Sequence, residues 1–275
     1  MTTKAAQASA RVSTPWAATA AVRLRGARLA YGPRVLWDSL DLDVAPGEFL
    51  AVLGPNGSGK TSLLRVLLGV QPLSAGSAQI HGRPVHRGLH TVGYIPQQRA
   101  IDPTLTLRGR DLVGLGLDGH RWGFGLPSAR RRARVLAALD AVGARHYADV
   151  PVGLLSGGEQ QRLRVAQALI GDPDVLLCDE PLLSLDLAHQ QVVSDLIDAR
   201  RRTAGTAVLF VTHEINPVLP AVDRVLYLVD GRFRIGTPDE VLNSATLSQL
   251  YGTDIEVIKV RERLLVIGAP GGPHP

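Results

Sequence analysis

Three observations make this chain an α/β domain built on a buried parallel sheet. The runs Leu50-Ala51-Val52-Leu53 and Val208-Leu209-Phe210-Val211 are apolar at every position, so neither face of such a strand meets water. Short β-branched and Leu-rich segments of this kind alternate with stretches of helical periodicity. A glycine-rich run, Gly54 to Gly59, stands between one of those strands and the helical segment Leu63-Leu64-Arg65-Val66-Leu67-Leu68.

Taken in order, residues 1–20 are rich in Ala, Thr and Ser and read as a disordered tail, with no continuous apolar segment of the kind a secretion signal needs. Residues 21–267 form the expected domain, and 268–275 a second loose tail. Strands are expected at Val22–Arg28, Phe49–Leu53, Thr91–Ile95, Val175–Cys178, Ala207–Val211 and Arg224–Val229. From Asp186 to Arg202, the apolar residues Val192, Val193, Leu196 and Ile197 recur at helical spacing. Asp230-Gly231 marks a hairpin turn. Residues from about 100 to 155 have helical periodicity and no convincing strand, which makes them an α-helical insert.

Composition narrows the function. The chain has 275 residues and a formal net charge of +5, and 27 of its 30 basic residues are Arg. The densest group, Arg130, Arg131, Arg132 and Arg134, has no interleaved aromatics and reads as a solvated helix face rather than a nucleic-acid surface. A single cysteine, Cys178, excludes an intramolecular disulfide. No run approaches the roughly 18 apolar residues that cross a bilayer, so any membrane work falls to a partner.

The chemistry starts at Gly54-Pro55-Asn56-Gly57-Ser58-Gly59-Lys60-Thr61-Ser62. Glycines let a backbone curl until successive N–H groups point at phosphate, and the following helix adds the positive end of its dipole. Lys60 supplies a compact point charge to the outer phosphates, and Thr61 a hydroxyl to Mg²⁺. The strand Val175–Cys178 ends in Asp179-Glu180. At the carboxyl end of such a strand the first acid suits Mg²⁺ and the second suits the polarisation of an attacking water. Together the two elements describe a site for nucleotide phosphates with Mg²⁺.

Leu155-Ser156-Gly157-Gly158-Glu159-Gln160-Gln161-Arg162 resembles the signature motif of ABC ATPases, and the resemblance extends over about residues 21–260 with the motifs in the family's order. It implies a RecA-like α/β core, an antiparallel β subdomain and an α-helical insert. It also implies that Ser156, Gly157, Gly158 and Glu159 serve the nucleotide of a second copy, in a dimer with two ATP molecules at the seam. Tyr31 matches the aromatic that stacks on adenine, although an edge-strand core residue remains the alternative. Gln97, with Gln98 beside it, matches the glutamine that touches Mg²⁺ or water and senses the membrane subunit. Asp186, in Ser184-Leu185-Asp186, matches the loop that crosses the seam, and His213 the histidine at the γ-phosphate.

The runs Glu180 to Asp186 and His213 to Leu219 resemble the manganese/zinc import branch, although Glu214 stands where many relatives have Asp. The resemblance therefore implies an ATPase on the inner face of the cell membrane, bound to permease subunits and served by an extracytoplasmic metal-binding protein. An importer of another substrate, such as an iron-siderophore, stays open, as does a soluble ABC ATPase acting on nucleic acid or ribosomes. His81, His86 and His90 lie close in sequence but match no standard metal-ligand spacing. No long apolar stripe offers constitutive pairing, so the two copies are expected to meet through nucleotide.

Overall fold

A computed structural model describes residues 20–97, 102, 104–119, 128–261 and 263–268; the expected tails lie outside these, apart from Ala20 and Gly268. Its elements run β1 (Val22–Tyr31), β2 (Arg34–Val44), β3 (Phe49–Leu53), α1 (Lys60–Leu67), β4 (Ala75–Ile80), β5 (Arg83–Pro84) and β6 (Val92–Ile95). There follow α2 (Gly109–Asp118), α3 (Ala129–Ala141), α4 (Gly157–Leu169), β7 (Val175–Asp179), α5 (Leu187–Ala204) and β8 (Ala207–Val211). The chain closes with β9 (Arg224–Val229), β10 (Arg232–Gly236), α6 (Pro238–Val241), α7 (Ser244–Tyr251), β11 (Ile255–Val260) and β12 (Arg263–Gly268).

The main sheet has the order β10-β9-β3-β8-β7-β6, with β10 antiparallel to β9 and the other pairings parallel. Because alternate side chains point to opposite faces, this sheet divides the interior into two cores. Phe49, Ala51, Leu176, Cys178, Val208, Phe210 and Val225 face one core, which α4 and α5 close with Leu163, Val165, Val193 and Ile197. Leu50, Val52, Val175, Leu177, Leu209 and Leu226 face the other. There α1 and the antiparallel sheet β2-β1-β4-β5 supply Leu63, Leu64, Leu67, Leu24, Leu29 and Trp37. Full burial on both faces explains why these strands were legible as unbroken apolar runs.

The helical insert carries α2, α3 and two short 3₁₀ turns, with one isolated bridge between Arg108 and Pro151. Its arginines are not simply a solvated face. Arg131 holds Asp118 of α2 at 2.6 Å, and Arg134 donates to Asp172 at 2.7 Å, tying α3 to the loop after α4. The Asp230-Gly231 turn closes the β9–β10 hairpin with both residues at positive φ.

Phe210 is fully buried at the centre of the main sheet, with its ring 5.4 Å from that of Phe49. Phe210→Ala is expected to cost about 3–5 kcal/mol, read as a lower midpoint in denaturant unfolding. A loss below about 1 kcal/mol would contradict the two-core description.

Candidate active site

The parallel register creates the site. Ile95 of β6 pairs with Cys178 of β7, and Cys178 with Phe210 of β8, so β7 and β8 end level and β6 one residue before them. The residues just beyond those ends are Gln97, Glu180 and His213. Gln97 Nε2 donates to Glu180 Oε2 at 3.2 Å, and His213 Nδ1 lies 3.6 Å from Glu180 Oε1. Glu180 thus lies between the two, hydrogen-bonded to Gln97 and beside His213, with its side chain only 14% exposed. Its φ is 51°, and a non-glycine residue there is strained. The backbone holds that conformation through Glu180 N–H donating to Val211 O at 2.9 Å.

The glycine loop follows β3, one strand beyond β8. Gly54 has φ 138°, and a Cβ on it would lie 2.0 Å from the carbonyl oxygen of Leu228, so no other residue fits. Gly57 and Gly59 also have positive φ. Ser58 Oγ is buried there without a partner. A curled backbone with an orphaned hydroxyl, opening directly into α1, fits an anionic ligand such as a phosphate chain.

Lys60 is 6% exposed, and its ammonium donates to Gly54 O at 2.7 Å and Pro55 O at 2.9 Å. Burial lowers its pKa, and the charges of Glu180 and Asp179 oppose that shift. Thr61 Oγ1 donates to Asp179 Oδ1 at 3.0 Å, joining the first turn of α1 to the end of β7. Asp179 is almost wholly buried, and burial raises its pKa while the Thr61 hydrogen bond opposes the rise. Its carboxylate, the Thr61 hydroxyl and the nearby Gln97 amide are hard oxygen donors, which suit Mg²⁺ shared with phosphate oxygens. Ser62 follows Thr61 in the same turn.

Ser156 caps α4 in a capping box with Glu159, whose Oε2 accepts from Ser156 N at 2.8 Å and from Ser156 Oγ at 2.7 Å. Ser156, Gly157, Gly158 and Glu159 share a cavity with Ser184 and Asp186, while Glu180 and His213 line another. Ser184 lines both. Asp186 caps α5, with His189 N donating to its Oδ1 at 2.9 Å and His189 Nδ1 2.7 Å from its Oδ2. Within one chain, then, the capped glycine loop of α4 and Glu180 line two adjoining cavities that meet at Ser184.

Tyr31 stands 46% exposed at the end of β1, beside the turn into β2. The structure adds Arg34, whose Nη2 donates to Gly57 O at 2.9 Å and pins the hairpin to the glycine loop. Only the β1–β2 pairing, with Tyr31 opposite Arg34, brings that arginine to the loop, and no motif marks it. Trp37 belongs to the same support, since a Cβ on Gly59 would lie 2.9 Å from its indole nitrogen. Gln98 lies outside the described residues. His81 lies 3.7 Å from Asp174, and His86 Nδ1 contacts Arg87 O at 2.9 Å. No group of three or more His, Cys, Asp or Glu suited to a metal occurs among the described residues.

A glycine cradle, a paired acid and a strained glutamate at the ends of parallel strands define an ATP-hydrolysing cassette. The ABC transporter family model matches residues 37–183, and the chain belongs to that family. Among its relatives is the zinc import ATP-binding protein ZnuC of Cereibacter sphaeroides, 39% identical over 78% of this chain and 81% of that one. The protein of that name from Pseudomonas entomophila is 34% identical over 88% and 87%. Among solved structures, an inward-facing ABC transporter described as metal-chelate type aligns with TM-score 0.76 and 26% identity over 92% of this chain and 98% of that one. A dimeric ATP-binding cassette bound to ADP and phosphate in a post-hydrolysis state aligns with TM-score 0.69 and 27% identity over 78% and 98%.

Asp179 yields a test. Its folded-state pKa lies above its ordinary 3.8, so ionising it costs stability, and the cost grows as pH rises from 3.8 through the folded-state value. Above that folded-state value the cost is complete. Asp179→Asn keeps an acceptor for Thr61 and is expected to raise the melting temperature of the nucleotide-free protein at pH 7. Each kcal/mol regained is worth about 2–4 °C in a domain of this size. The gain should vanish at pH 3, and a lower melting temperature at pH 7 would contradict the assignment.

Proposed function

We propose that this ATPase powers import of a divalent metal ion, with zinc the first choice and manganese the second. The substrate reading rests on the zinc-import relatives, which match the chain over most of its length. Two copies pair head to tail, so that Lys60 of one faces Ser156 and Gly158 of the other across ATP. Similar cassettes solved as dimers support that pairing. Permease subunits dock in the cleft between Gln97 and the helical insert, and an extracytoplasmic metal-binding protein delivers the cargo. Among the described residues no helix is long and apolar enough to cross a membrane, so translocation belongs to the permease.

In this reading Tyr31 stacks on adenine, and the backbone from Gly54 to Ser62 receives the phosphates with the Lys60 ammonium. Thr61, Asp179 and Gln97 would hold Mg²⁺, which neutralises charge on the outer phosphate oxygens. The carrying observation is Glu180, fixed on strained backbone between Gln97 and His213. Its carboxylate accepts a proton from the water whose oxygen bonds to the γ-phosphorus as the bond to the β–γ bridging oxygen breaks. His213 contacts the γ-phosphate. Asp186 and Ser184 meet the partner copy at the seam.

Glu180→Gln is expected to lower the ATPase rate about 10²–10⁴-fold while ATP still binds, because removing a general base leaves the cradle intact. It should accumulate an ATP-bound dimer in size-exclusion chromatography with Mg-ATP. Lys60→Ala should lose nucleotide affinity and stay monomeric under the same conditions. Parental hydrolysis by Glu180→Gln would remove Glu180 from the role.

The metal-chelate transporter, which aligns over 92% of this chain, favours a second reading in which the cargo is a chelated metal. Uptake into vesicles holding the cassette with its permease separates the two. The first reading predicts ATP-dependent entry of zinc presented with its binding protein; entry of an iron-siderophore instead would select the second.

A further inference from the structure

Hairpin β11–β12 forms a sheet of its own beside the catalytic face. It is fastened to the segment after β8 by Asn216, whose Oδ1 accepts from Leu264 N at 2.8 Å and whose Nδ2 donates to Leu264 O at 3.0 Å. Ser244 and Ser248 fasten the other strand, accepting from Val257 N at 2.9 Å and Ile255 N at 2.8 Å. One face of the hairpin packs Val257 and Leu264 against the core of α4 and α5.

On that face Val266, opposite Val257, is still 50% exposed; the other face is exposed along its whole length. Register places Glu256 opposite Ile267, Ile258 opposite Leu265 and Val260 opposite Arg263, so these six side chains share it. Ile258, Val260, Leu265 and Ile267 are all large, apolar and exposed. This is a short apolar stripe. It continues into the cavity of the active site, where Arg263 and Leu265 join Glu180, Ser184 and His213, and where Leu187 is 79% exposed.

We infer that the outer face of β11–β12 docks on the same face of a second copy of this chain and extends the nucleotide seam. The inference rests on the paired-cassette reading. Continuity with Ser184, the residue lining both seam cavities, places the stripe beside the partner copy. The charge pattern suits self-pairing. A two-fold axis across the strands at Ile258 and Leu265 lays the row holding Glu256 over the partner's row holding Arg263, at both ends of the patch. Four apolar side chains then cover one another at the centre, where like charges are absent. Six side chains fall short of the roughly 800 Å² per partner of a standard interface, so the contact adds to the seam and does not replace it. Its use is to keep two cassettes in register when the ATP sites open.

The only cysteine, Cys178, is buried, so introduced cysteines on the full-length chain can be read cleanly. Ile258→Cys, treated with a short bismaleimide, is expected to give a covalent dimer in Mg-ATP and a weaker one without nucleotide. Adding Leu265→Glu should reduce that product about tenfold, by placing like charges face to face in a desolvated centre. Ser184→Cys reports the seam independently and should link only in Mg-ATP. Linking of Ser184→Cys without Ile258→Cys overturns the hairpin contact and leaves the seam standing, with the face free for another partner. Linking of Ile258→Cys without Ser184→Cys supports the contact and removes the seam reading. No linking of either overturns both.

Discussion

The hydrogen bond from Thr61 Oγ1 to Asp179 Oδ1, 3.0 Å long, joins residues 118 positions apart and fixes the distance between the two halves of the site. On one side is the glycine loop with Lys60; on the other is the acidic end of β7 with Glu180. The buried carboxylate resists ionisation, and its place in the candidate site costs some stability. Lys60 is the electrostatic counterpart, a buried ammonium held by two backbone carbonyls and drawn toward both acids. The charges of Glu180 and Asp179 offset part of the burial cost of the ammonium.

Around this link the sheet acts as a ruler. Strands β6, β7 and β8 are parallel and in register, so the first residues past their ends bring Gln97, Glu180 and His213 together. The two-core interior keeps that register rigid, because a slip by one residue would exchange every side chain between the core lined by Phe210 and that lined by Leu209. The strained backbone at Glu180 persists only on such a support. The capped loop of α4 obeys a different logic. It is ordered by its own capping box and opens into its own cavity, a half-site that a second copy completes in the reading proposed above.

Legibility followed the physics of each segment. Strands β3, β7, β8 and β9 were readable because burial on both faces leaves an unbroken apolar run, and the glycine loop because its function restricts residue type. Strand β2 was missed as a strand: Ser39 at φ 55° and the register shifts against β1 interrupt its alternation. Strand β4, Ala75 to Ile80, is half small or polar and exposed, so it has no hydrophobic period to read. Arg34 becomes a loop contact only through hairpin pairing. The arginines of α3 looked solvated because their partners, Asp118 and Asp172, come from other elements. Such contacts are tertiary, and no local pattern encodes them.

The central claim is that each ATP is held by the glycine loop of one copy and the capped loop of the other, and a mixed dimer tests it directly. In a Glu180→Gln background, which traps nucleotide, one partner carries Lys60→Ala and the other Ser156→Arg. Each variant alone lacks every complete site and should retain no ATP after gel filtration. Mixed, they form a heterodimer in which Lys60 of the second faces Ser156 of the first, and bound ATP should reach about one per heterodimer. If the mixture retains no more ATP than its separate components, or if Ser156→Arg alone traps ATP fully, the site lies within a single chain and the account fails.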